Sequence, residues 1–491
     1  MPYGFTCGIF CVKALYLVYP LHNKRKNTNN KAAKNCNLFL FCGGIKMVKV
    51  INKLCAAFFV FALALSFSYL ILEGKILGIL FFSLFFVLQI NAKKILKPLG
   101  EGAYLALILA CAFAIRLIFA IFVNPAPESD FLTYYNLAKA LSQGKTQYNE
   151  YIALFPHVIG YPTILSFFFT LFGDKLIVAK ILNVISQTAT VYLVYKITEK
   201  VNPKGKRCAA AFLAFCPNLI YPVSLVATEN FHIFFLALSI YLYLINKKRA
   251  AFYILSGLFF ALSNFIRPVS IIFIASILIY EFLRYRMNFK RIVNLFLLLI
   301  SFFAAFSALN YYTEKRIGQS CAKNSFGYNL YVGLNHESMG MWNEEDAKTF
   351  DSLSKKNSPQ NVHNIFIKKS IERFFDIKTI PLLFKKQVIM WADEGYFAWW
   401  DKLPFIFFIL AQSYYVSIFS LCALNLIKNK SDNGQILFFE IVIILTVLSF
   451  TLLEAQGRYR LYLYLAFCTI SSGFFWHKNL KNNEKILKKV L

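Results

Sequence analysis

Residues 51–72, INKLCAAFFVFALALSFSYLIL, decide the fold class. After Lys53 no charged residue follows until Glu73. A hydrocarbon core about 30 Å thick is crossed by roughly 17 to 25 mostly apolar residues in a helix. Lipid leaves only helices and closed barrels as spanning structures, and a barrel strand alternates polarity over about ten residues. This run does not alternate, so it reads as a membrane helix. A second run, 76–92, follows the polar break Glu73–Lys75.

The same reading extends along the chain, with 58% hydrophobic, 18% aromatic and 16% charged residues and a mean hydropathy of +0.54. Spans are expected at about 51–72, 76–92, 103–123, 175–196, 207–226, 229–246, 250–264, 268–283, 291–312, 402–426, 436–453 and 459–476. The expectation is an all-α polytopic membrane protein with about 12 (11–13) transmembrane helices. The net charge of +29 suggests nucleic acid at first sight, but its lysines and arginines sit in short loops and tails such as NAKKILKP, KITEKVNPKGKR, RYRMNFKR and HKNLKNNEKILKKVL. The positive-inside rule assigns these loops and both termini to the cytoplasm. Alternation then puts the loop holding Asp130, the turns at Glu229 and Arg267, the segment 313–400 and the turn from Glu454 to Arg460 on the extracytoplasmic side. The run 155–173, FPHVIGYPTILSFFFTLFG, would force KITEKVNPKGKR outside if it crossed. It is read as a helix at the outer surface or partly re-entrant; a thirteenth span is the alternative.

The chain divides into an uncertain leader, 1–46, with a start at Met47 as an alternative; a transmembrane catalytic module, 47–312, whose first outer loop is 124–174; the extracytoplasmic segment 313–400; C-terminal helices, 401–477; and a basic tail, 478–491. Of eleven cysteines, only Cys321 falls in the large outer segment, and no disulfide framework is implied.

Charged groups beside a bilayer are costly to keep, so their position points to function. Glu128, Asp130, Glu229, Arg267, Glu454, Arg458 and Arg460 all fall at the outer leaflet. Each also has a local reading. Ser129 or Asp130 suits the cap of a helix, with Tyr134 on the same face. Glu229 suits a helix N-terminus. Arg267 suits a turn, and Arg458 and Arg460 suit headgroup anchors. Arg116 reads as a buried, hydrogen-bonded arginine, His157 as packing, and Glu344–Asp346 as a solvated or helix-starting turn.

Several stretches in order, SDFLTYYNLAKALSQG, FPHVIGYP, LVATEN, NFIRP, GYNLYVGLN with GMWNEED, and GRYRLY, give the chain a resemblance to the family 39 integral-membrane glycosyltransferases, which include protein O-mannosyltransferases and lipid A aminoarabinose transferases and share the GT-C fold. The resemblance implies transfer of a sugar from a polyprenyl-phosphate donor to an acceptor protein, lipid or glycan. Arg267, Arg458 and Arg460 would hold the donor phosphate. Asp130 would be the base of a single inverting displacement, with Glu229 sharing the site. Glu128, Tyr134, His157, Tyr161 and Asn335 are possible substrate contacts. Many family members carry an adjacent acidic pair in the first outer loop, whereas here Phe131 follows Asp130 and the nearest other acid is Glu128. No cofactor or metal is therefore assigned, and a divalent ion stays open. The rival classes are a multi-pass transporter or lipid flippase, which would need charges or helix breaks near mid-bilayer in two related halves, and an envelope-glycan polymerase or ligase on another fold.

Overall fold

At Lys75 the backbone leaves the helical region, with φ 48° and ψ −138°. Helix α1 (Lys46–Leu96) is broken there, and Phe67 and Phe82 meet edge to face with ring centroids 5.4 Å apart. The same fifteen-residue separation along a straight helix would be about 22 Å. The chain therefore folds back, as the polar break at Glu73–Lys75 requires. The computed structural model describes residues 29–145, 150–245, 249–285, 287–323, 326–394, 403–428 and 436–476, with side-chain surroundings from residue 46 onward. Most of the leader and the basic tail lie outside the described residues.

After α1 come α2 (Glu101–Phe122), α3 (Ser129–Ser142), α4 (Glu150–Leu154), a 3-10 turn at Pro156–Ile159, α5 (Gly160–Phe172) and α6 (Leu176–Val201). Two later helices, Phe289–Ile317 and Phe405–Lys428, join α1, α2 and α6 as helices long and apolar enough to cross a membrane; Pro156–Phe172, Glu229–Ile245, Ala250–Ile266 and Leu437–Leu452 are apolar but shorter. Residues 155–173 thus form a 3-10 turn and a 13-residue helix that packs on α3.

Two expected spans are not continuous helices. Residues 207–226 form α7 (Lys206–Ala214), α8 (Pro217–Ile220) and a 3-10 turn at Tyr221–Ser224. Pro217 and Pro222 have no N–H to donate and cannot continue a helix interior. Irregular backbone is tolerated at membrane depth only when protein covers it and satisfies it, and both conditions hold. Residues 217–224 are buried. Asn183 donates to the carbonyls of Val223 (3.3 Å) and Leu225 (2.7 Å), and Asn230 donates to those of Pro222 (3.0 Å) and Ala227 (3.3 Å). Arg116 donates to Leu213 and Ala214 at the end of α7, and Lys180 donates to Ala120 and Val123 at the end of α2. The second departure is 459–476, which is a 3-10 stretch, Gly457–Leu463, followed by a short helix, Tyr464–Ser472.

The remaining helices are α9 (Glu229–Ile245), α10 (Ala250–Ile266), α11 (Ser270–Arg284), α12 (Phe289–Ile317), α13 (Phe326–Gly333), α14 (Glu344–Ser354), α15 (Pro359–Phe374), α16 (Thr379–Trp391), α17 (Phe405–Lys428), α18 (Leu437–Leu452) and α19 (Tyr464–Ser472). No strand occurs among the described residues. The segment 313–400 is tied to the loop after α18 by backbone and side chain together. Glu454 and Ala455 donate their amide N–H to the carbonyls of Asn329 and Gly340, both at 2.9 Å. Lys386, wholly buried, donates to the carbonyls of Gly333 (2.7 Å) and Leu453 (2.6 Å). A Cβ on Gly333 would sit 2.3 Å from the Leu452 carbonyl oxygen, so only glycine admits this approach.

Candidate active site

The seam held by Lys386 opens onto a cavity of about 840 Å³. One wall is apolar, with Val269, Ile271 and Ile272 from the start of α11 facing Phe450 and Leu453 from the end of α18. A second wall is one face of α14, where Ala347, Phe350, Asp351 and Ser354 recur at helical spacing, with Trp342 beside them. The lining also includes Asp130, Arg267, Glu454, Gln456, Arg458 and Tyr459.

Asp130 stands in the first turn of α3, directly after Ser129, whose φ of 50° is strained for a residue with a Cβ. The cap position is Glu128, and its side chain makes no capping bond. Asp130 is therefore not the cap. Its Oδ2 accepts from Arg458 Nη2 at 2.8 Å. Arg458 is 5% exposed and Asp130 38%, so the carboxylate is the open end of the pair. Arg458 Nε donates to Gln456 Oε1 at 3.0 Å, and the Gln456 amide donates to Glu454 Oε1. A polar chain thus runs from Glu454 to Asp130 along one wall. Burial raises the Glu454 carboxyl above its ordinary range.

Arg267 follows the last residue of α10 and is held by a close backbone approach. A Cβ on Gly160 would lie 2.1 Å from the Phe265 carbonyl oxygen, so glycine lets the His157 turn press against the end of α10. Arg267 Nη2 donates to Glu229 Oε1 at 2.7 Å and Nε donates to Thr228 Oγ1 at 2.8 Å. The guanidinium groups of Arg267 and Arg458 lie 5.2 and 5.7 Å from the centroid of the same ring, Tyr459, near enough for cation–π attraction. His157 also lines the cavity. Burial, helped by Arg267, lowers its imidazole to about 4, so it is neutral at ordinary pH.

The cavity therefore brings together Asp130, Arg267, Arg458, Tyr134 and His157 from the sequence-derived candidates. The others lie outside its lining. Glu229, 3% exposed, stands behind Arg267. Tyr161 meets Tyr134 edge to face with centroids 6.3 Å apart and donates to Asn183 Oδ1 at 3.3 Å. Asn335 is a turn residue that donates to Asp346 Oδ2 at 2.9 Å, and Asp346 in turn accepts from Arg373 at 2.8 Å. Arg460, expected beside Arg458 on the phosphate, points elsewhere. It is buried between Trp391 and Tyr415, 5.5 and 4.8 Å from their ring centroids, and donates to the Asp393 carbonyl. In a 3-10 stretch, with three residues per turn, side chains two apart diverge by about a third of a turn. Among the described residues no group of three or more His, Cys, Asp or Glu side chains could hold a metal ion.

Gln456, Tyr459, Tyr151 and Trp342, none of them a candidate from the sequence, line the cavity, as does Glu454, to which the sequence assigns only a place among the outer charges. The stretch EAQGRY carried a signal, since polar residues packed around a cation before an apolar helix are costly beside lipid.

Residues 156–312 match the family model described as dolichyl-phosphate-mannose-protein mannosyltransferase, which bears out the resemblance to the family 39 membrane glycosyltransferases of the GT-C fold. A search of curated proteins found no match. Among solved structures the chain is similar to the Archaeoglobus fulgidus oligosaccharyltransferase tethered with an acceptor peptide containing the NVT sequon, at 14% identity and a TM-score of 0.45, covering 76% of this chain and 49% of that one. It is similar also to the archaeal oligosaccharyltransferase AglB from Archaeoglobus fulgidus in complex with an inhibitory peptide and a dolichol-phosphate, at 14% identity and a TM-score of 0.45, covering 80% and 52%. The chain spans about half the length of these structures.

Proposed function

We propose that the chain is an integral-membrane glycosyltransferase that moves a sugar from a polyprenyl-phosphate donor to a hydroxyl or amine of a protein, lipid or glycan acceptor at the extracytoplasmic face. One observation carries the reading. A carboxylate open to the cavity, Asp130, and two guanidinium groups on one tyrosine ring line the same cavity as an apolar set of side chains and a polar, aromatic one. The apolar wall suits a prenyl chain, and the wall of α14 with Trp342 suits the acceptor.

In the proposed reaction Asp130 takes the acceptor's proton while the acceptor atom bonds to the anomeric carbon. The bond from that carbon to the phosphate oxygen breaks, and its electron pair leaves with the phosphate, in one inverting displacement. Arg267 and Arg458 hold the phosphate through charge-assisted bonds that strengthen as its charge grows. Glu229 fixes Arg267. Arg460 has no part in this scheme. A transporter would need its mid-span cations for cargo, but Arg116 and Lys180 are engaged by backbone carbonyls at helix ends.

Sealed right-side-out vesicles containing the protein and a radiolabelled polyprenyl-phosphate sugar test the reading. Free polyprenyl phosphate should form when acceptor extract is added outside. Formation only after the vesicles are opened would put the site on the other face. No formation in either state would remove the transferase reading.

A further inference from the structure

Two ion pairs present a member to the cavity, and they present opposite ends: Arg267 of one and Asp130 of the other are the more exposed partners. Glu229 is closed off, at 3% exposure; Oε1 accepts from Arg267 and Oε2 from the Thr228 hydroxyl. Asp130 faces the cavity, while its partner Arg458 is almost wholly buried. A substrate proton can therefore reach the carboxylate of one pair only.

We propose that Asp130 and Arg458 act as a charge exchanger, in which the proton that Asp130 takes from the acceptor releases Arg458 to the departing phosphate. The inference rests on the transferase reading above. Before reaction Asp130 carries one negative charge, Arg458 one positive, and the donor phosphodiester one negative. The acceptor's proton then moves to Asp130 as the new bond to the sugar forms. The old bond breaks toward phosphate, which becomes a monoester with a second ionisation near pH 6, so that about one extra negative charge develops on it. The sum of charges in the cavity does not change. A negative charge has moved from carboxylate to phosphate, and Arg458 is the cation that both can reach.

The surroundings of Arg458 favour a change of partner over a change of place. Gln456 Oε1 holds its Nε at 3.0 Å, Glu454 holds Gln456, and the Tyr459 ring lies beside both guanidinium groups. A preorganised cation acts on developing charge without reorganisation. The arrangement also has a thermodynamic consequence. Asp130 competes with phosphate for Arg458, so removing its charge should strengthen phosphate binding even as it abolishes proton acceptance. A residue acting as a base alone would leave that affinity unchanged, and one acting only to hold the fold would weaken it.

The test is equilibrium binding of farnesyl phosphate to the purified full-length protein in nanodiscs. Asp130→Asn and Asp130→Ala should both bind it more tightly than the parent, by about tenfold, within the usual range of coupling between two sites. Turnover should fall in both. In the Asp130→Asn, Arg458→Gln double variant the gain should vanish. Unchanged or weaker binding in the two single variants, or a gain that survives the loss of Arg458, would overturn the exchanger. If the parent binds no farnesyl phosphate, the donor reading fails, and the exchanger with it.

Discussion

Asp130→Asn is expected to lower turnover by about 10² to 10⁴, the range for removing a general base, with the protein reaching the membrane at parental abundance. Asn is isosteric, and its side-chain oxygen can still accept the hydrogen bond that Arg458 Nη2 gives at 2.8 Å, so the wall of the cavity should persist. Asn also serves helix caps about as well as Asp, and Glu128 rather than Asp130 occupies the cap position. A loss of turnover thus reports on proton acceptance rather than on α3. Free Asp, at about 3.9, is a weak base, and the transfer is helped by occurring in the transition state. Turnover within a few-fold of the parent would end the assignment and turn attention to Glu454, the other carboxyl on the same wall.

The second large effect is expected at Arg458. If Arg458 holds the donor phosphate as proposed, Arg458→Ala removes a charge-assisted contact worth about 1.5 to 3 kcal/mol, so donor affinity should fall by roughly one to two decades. Arg458→Lys should recover only part of it, because a lysine has no fork to hold Gln456 and phosphate together. Arg460→Ala is the control two residues away. It should leave donor affinity alone and lower stability instead, since it empties the space between Trp391 and Tyr415. Equal donor affinities for the parent and Arg458→Ala in a direct binding measurement would return Arg458 to a structural role.

The sequence was most readable where one-dimensional pattern governs. Apolar runs long enough for a bilayer, and the polar break at Glu73–Lys75, foretold helices and a fold-back, because the cost of unpaired backbone in lipid leaves no other solution. The meeting of Asp130 with Arg458, 328 residues apart, was legible only as a shared membrane plane. Direction within that plane was not legible. Arg458 and Arg460 share a motif, yet the 3-10 path turns them to different neighbours. Asn335 belongs to a knot with Asp346 and Arg373 whose partners come from two other parts of the chain. The broken stretch 207–226 looked like a span by hydropathy. Pro217 and Pro222 marked the break, but the amides of Asn183 and Asn230 that make it tolerable come from α6 and α9.

Lys386 gives the strap between the segment 313–400 and the Glu454–Arg458 loop a proton linkage. A neutral amine has two N–H groups, matching the carbonyls of Gly333 and Leu453; an ammonium has a third. Burial, opposed in part by Glu454, brings Lys386 down to about 7, against about 10.4 in an unfolded chain. Between those values the unfolded state binds more protons, so stability rises as pH increases from about 7 towards 10.4, while below 7 the full penalty remains. The strap should therefore loosen on acidification. Hydrogen exchange at the Glu454 and Ala455 amides, corrected for intrinsic rate, should be faster at pH 6 than at pH 8, and Lys386→Met should remove the difference. Equal corrected rates in the parent would mean that the strap keeps one protonation state throughout, and the segment 313–400 would then be joined to the Glu454–Arg458 loop independently of pH.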